Sequence, residues 1–93
     1  MTASHNDSRQ PSPIIVVSRR LDCLGQMEPM PLLQLRAALE TMVAGQILEL
    51  IWDDPCAPAD VAAWCRVTGH ELIDVYERGD QVSFFIRCKE RIS

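Results

Sequence analysis

The residues of this chain best equipped for chemistry are four thiols and a few carboxylates set beside prolines. Cys23, Cys56, Cys65 and Cys88 are the soft nucleophiles, able to attack another sulfur once ionised. Glu28 stands immediately before Pro29-Met30-Pro31, and Asp53-Asp54-Pro55 runs directly into Cys56. No two cysteines form a CxxC pair and no Cys/His spacing fits a zinc ribbon, so no metal site is expected. Glu28 with Asp53-Asp54 could be imagined as a carboxylate cluster for acid–base work. No histidine stands beside them, however, and paired acids in a turn are usually solvated.

These residues must be positioned by a small scaffold. A chain of 93 residues, 47% hydrophobic and 24% charged, supports one domain whose core spans much of its length. The formal net charge of −4 argues against a partner that is duplex nucleic acid or an anionic membrane, which a dense basic face would bind. Residues 1–13, polar and containing serine and proline, read as a disordered tail ahead of a domain over residues 14–93. The tail has no apolar segment of the signal-peptide kind, and no apolar run is long enough to span a bilayer. A monomeric cytoplasmic protein with reduced thiols and no cofactor is the expectation. Trp64 and the Phe84-Phe85 pair are too few, and too suited to a core, to suggest base stacking on RNA.

Along the chain, Ile14 to Leu21 is rich in β-branched residues and predicts a strand. From Pro29 to Val43, Leu32, Leu35, Leu39 and Met42 recur at helical spacing, with Gln34, Arg36 and Glu40 facing water and Gly45 as the stop. Ile47 to Trp52 predicts a second strand. Pro58 and Asp60 suit the start of a second helix, where Val61, Trp64, Cys65 and Thr68 share a face before Gly69. His70 to Tyr76 and Gln81 to Cys88, flanking Glu77-Arg78-Gly79-Asp80, predict a hairpin. The order is βαβαββ, an α/β two-layer sandwich with both helices on one face of a four-stranded mixed sheet.

A helix between the first two strands makes them parallel, which brings their C-terminal ends to the edge where the first helix begins. Cys23, Glu28, Asp53, Asp54 and Cys56 should therefore share one neighbourhood. A helix N-terminus favours an anion by about 0.3–1 kcal/mol when exposed, and prolines are tolerated in its first turn.

Five segments in this order, LDCLGQMEPMP, the helix ending in AG, DDP, WCRVTGHEL and FFIRCK, resemble the TusA/SirA-like family of small sulfur carriers. The resemblance runs from about Leu21 to Lys89. It implies the same βαβαββ fold, and a cysteine at the first helix that takes up sulfur as a persulfide and passes it to a partner protein. Leu21, Asp22, Gly25, Pro29 and Pro31 match the family's signature there. Glu28 falls where that signature has its cysteine, and Gln26 where leucine is usual.

Three readings follow for Glu28. It could mimic the charge of a persulfide and serve docking without transfer, sulfur carrying could have moved to Cys23 or Cys56, or the carboxylate could simply be tolerated at a decayed site. In the first two the partner implied is a sulfur-donor or sulfur-acceptor protein, contacting Glu28, Pro29, Pro31, Gly25 and Asp54. Cys65 and Cys88 read as packing residues. Cys56 follows two carboxylates that count against it as a nucleophile, and Cys23 could point inward at the strand end.

Overall fold

In the computed structural model, residues 15–90 are described; the tail expected over residues 1–13 lies outside them. The elements are β1 (Val17–Asp22), α1 (Met30–Glu40), β2 (Ile47–Trp52), α2 (Ala57–Thr68), β3 (Glu71–Arg78) and β4 (Gln81–Arg87). They build a two-layer sandwich on a four-stranded mixed sheet of order β1-β2-β4-β3.

β1 and β2 are parallel and their ladder ends with Asp22 opposite Ile51. β4 is antiparallel to β2, so Leu48, Leu50 and Trp52 face Ile86, Phe84 and Val82 across the pair. These positions alternate along their strands and therefore share one face, where they form the core with Leu35, Leu39, Met42, Val61 and Cys65 from the helices. Leu35, Leu39, Leu48, Leu50, Trp52 and Phe84 are fully buried, each such large side chain worth about 1.5–3 kcal/mol in hydrophobic transfer. On the opposite face Glu49 lies low among its neighbours and is paired with Arg20 at 2.8 Å.

Several boundaries differ from the sequence-based expectation, each for a local reason. Ile14, the expected first residue of β1, lies outside the described residues; among these β1 starts at Val17, where Ile47 of β2 first pairs with it. α1 ends at Glu40 with Thr41 as its C-cap, not at Gly45: the Thr41 hydroxyl and N–H both donate to the Ala38 carbonyl and close the last turn. Gly45, at φ 91°, instead shapes the approach to β2 and donates its N–H to Cys88 O at 2.9 Å. At the hairpin, Arg78 still pairs with Gln81, leaving Gly79-Asp80 as a two-residue loop whose glycine takes φ 62°. Gly69 does stop α2, in the left-handed conformation, with its N–H on Cys65 O.

Burial pushes the Cys65 thiol up to about 11. The folded chain thus holds this proton at pH values where the unfolded chain has released it. Stability is therefore complete below the ordinary thiol range and falls as pH rises from that range towards about 11. Urea unfolding across this interval should show the decline, and Cys65→Ala should flatten it; a decline of equal steepness in the variant would refute the assignment.

Candidate functional site

The segment between β1 and α1 is shaped by the end of β2. Cys23 N–H donates to Ile51 O at 2.8 Å, extending the parallel ladder by one residue. Leu24 N–H then turns back onto Asp22 Oδ1 at 3.1 Å, and Gly25 N–H donates to Asp53 Oδ1 at 3.0 Å. Gly25 adopts φ 77°, a left-handed conformation that costs glycine little. The fully buried Trp52 donates its indole N–H to Gln26 O at 3.0 Å. Three consecutive residues of β2 and its exit, Ile51, Trp52 and Asp53, thereby set the path of residues 23–26.

Beyond these contacts the chain passes through the cis Glu28–Pro29 peptide into α1, with Pro29 as the N-cap residue. Met30 N–H is taken by Met27 O at 3.0 Å, and Pro31 has no N–H to satisfy. Pro31 is buried, so Pro29 is the proline of this pair presented outward. Glu28 is exposed immediately before the helix, outside the hydrogen bonds and ion pairs of the described residues. The positive end of the α1 dipole favours its carboxylate there.

Cys23 points the other way. Its side chain is fully buried and its thiol donates to Gln34 Oε1 at 3.2 Å. Gln34, expected to face water, is half-buried for this reason. Burial, with the Asp22 charge adding to it, raises the Cys23 thiol above its ordinary value, which opposes formation of the nucleophilic thiolate.

Cys56 is the exposed member of the four thiols, Cys65 and Cys88 also being buried. It occupies the N-cap position of α2, and its N–H donates to Asp54 Oδ1 at 2.8 Å. Asp54 O receives Ala57 N–H at 2.9 Å, so Asp54 organises this second helix start. The β1 and β2 exits carry Cys23 and Asp53 to one edge, and both helices begin there. No hydrogen bond or ion pair joins Cys56 to Glu28. No group of three metal-ligating side chains that could hold an ion occurs among the described residues, and no described helix is long and apolar enough to cross a membrane.

One feature of the edge escaped the sequence reading. Leu24, Met27, Met30 and Leu33 are large, apolar and exposed, and they follow one another at every third residue from the loop into α1. That spacing is a readable signal, overshadowed by the stronger core stripe of Leu35, Leu39 and Met42.

A βαβαββ sandwich with a helix opening at its parallel edge defines a small two-layer α/β domain. The chain matches the family model described as Sulfurtransferase TusA over residues 19–88. It is 36% identical over 72 residues to a protein of Neisseria meningitidis serogroup A, covering 77% of this chain and 97% of that one. It is 35% identical over 69 residues to the sulfur carrier protein TusA of Allochromatium vinosum, covering 74% and 91% of the two chains. The crystal structure of a SirA-like protein from Desulfitobacterium hafniense has the same fold, with a TM-score of 0.68 at 20% identity over 77% of this chain and 99% of that one. The chain belongs to the TusA family of sulfur carriers.

In the folded protein a disulfide-exchange reagent should titrate Cys56 promptly and Cys23, Cys65 and Cys88 only on unfolding. Cys56→Ala should remove the prompt phase; a prompt phase that persists in the variant and maps to Cys23 would contradict the buried thiol.

Proposed function

We propose that this chain is a sulfur-relay protein that docks onto a sulfur-donor or sulfur-acceptor protein without forming a persulfide at the mouth of α1. One observation carries the reading. The exposed group at that mouth is the Glu28 carboxylate, while the neighbouring thiol, Cys23, is fully buried.

Aligned on Leu21, Asp22, Gly25, Pro29 and Pro31, Glu28 takes the position of the family's sulfur-accepting cysteine. A carboxylate oxygen has no soft, polarisable lone pair with which to hold sulfane sulfur, so transfer cannot run through this residue. Its charge nevertheless lies several bonds beyond Cβ, as the outer sulfur of a persulfide would. The helix end stabilises either anion. A partner that recognises the loaded carrier could thus accept this chain as a permanently charged counterpart, giving it the role of decoy, scaffold or regulator.

The second reading, sulfur carried on Cys56, is favoured by that residue's exposure and its place at the N-cap of α2. The two separate in one experiment. Reduced full-length protein is incubated with a cysteine desulfurase and cysteine, then examined by intact-mass spectrometry and peptide mapping, beside Cys56→Ala. No added sulfur is expected on either. One sulfur atom that maps to Cys56 and vanishes in Cys56→Ala would replace the docking reading with the carrier reading.

A further inference from the structure

We propose that the end of the molecule around Glu28 docks a protein presenting an apolar socket rimmed by lysine or arginine side chains. This deepens the reading of Glu28 as a docking group and rests on it.

The apolar part of the surface is Leu24, Met27, Met30 and Leu33, exposed by 41%, 77%, 47% and 52%. Met30 and Leu33 lie three residues apart on one face of α1, and Met27 is tied to Met30 through its carbonyl. Contiguous exposed apolar side chains of this size mark binding surfaces, and methionine adapts its shape to a partner. Along the chain they flank the exposed Glu28 and Pro29 on both sides.

The charge around this collar identifies the chemistry of its occupant. The strand register brings Asp22, Asp53, Glu77 and Asp80 to the same edge of the sheet as Glu28, with Asp54 beside them at the start of α2. The ion pairs of the described residues, Arg20–Glu49, Arg36–Glu40 and Arg87–Glu71, include none of these six carboxylates. No lysine or arginine occurs from Leu21 to Leu35. Arg78, the base at this edge, lies over the Tyr76 ring at 5.4 Å.

An unneutralised acidic rim repels nucleic acid and anionic lipid, and it opposes a second copy of the same surface. It attracts a basic rim. An arginine of the partner could take Glu28 bidentately at the centre, where the apolar contacts exclude water and strengthen the pair.

The test places a photo-crosslinking amino acid at Met27 or Leu33 of the full chain in its native cells, with Val67, 86% exposed near the end of α2, as the control position. Crosslinks are expected from Met27 and Leu33 into a protein segment of apolar residues bordered by lysine or arginine. Their yield should fall about fivefold or more in Glu28→Lys/Glu77→Lys chains whose unfolding transition is unchanged. Crosslinks confined to Val67, capture of an acidic segment or lipid, unaltered yield in the charge-reversed chain, or no crosslink at all would each overturn the proposal. The docking surface and the relay role fail differently. A basic-socket protein with no part in sulfur transfer would uphold the surface and remove the relay reading, whereas a sulfur-transfer protein captured only from Val67 would do the reverse.

Discussion

The hydrogen bond from Trp52 to the Gln26 carbonyl joins the core to the surface that matters. Trp52 is fully buried between the layers, yet its indole N–H reaches the loop that leads to Glu28. A buried indole N–H without an acceptor is costly, so the packing of this ring and the path of residues 23–27 are coupled. Asp53 repeats the arrangement one residue later through Gly25 N–H. The mouth of α1 is therefore held by the same strand that forms the centre of the core. Changes in β2 packing should be felt at Glu28 although no hydrogen bond or ion pair of the described residues joins the two.

This rigidity has an electrostatic counterpart. Elsewhere among the described residues three arginines are matched to glutamates, Arg20–Glu49 and Arg87–Glu71 across strands and Arg36–Glu40 along a helix. At the parallel edge the carboxylates are left unmatched. Exposed ion pairs contribute little to stability, so leaving them out costs the fold little while giving one end of the molecule a sustained negative potential. The separation of this paired region from an acidic end is what the proposed docking role requires.

Much of the architecture was legible because periodicity and turn chemistry agreed. The Leu35, Leu39 and Met42 stripe, the β-branched run of β1 and the turn signal within Glu77-Arg78-Gly79-Asp80 each indicated one element, and the connecting helix made β1 and β2 parallel. What sequence could not supply was direction. Cys23 turns inward because its N–H continues the ladder to Ile51, and only that register shows why the thiol ends on Gln34. Nor could it distinguish Gly45 from Thr41 as the end of α1, since a threonine closing a turn through its own hydroxyl leaves no strong mark on a periodic pattern. The paired prolines signalled a helix start without revealing that Pro31 would be buried and Pro29 presented.

The claim at the centre of this account is that the scaffold of a sulfur carrier is intact and that the group at its mouth determines whether sulfur is held. Restoring a thiol tests it directly. Glu28→Cys, exposed to a cysteine desulfurase and cysteine, should gain one sulfur atom as a persulfide mapped to position 28, the helix end aiding ionisation of the new thiol. A folded Glu28→Cys protein that takes up no sulfur at position 28 would contradict the account, because the mouth would then lack more than its nucleophile.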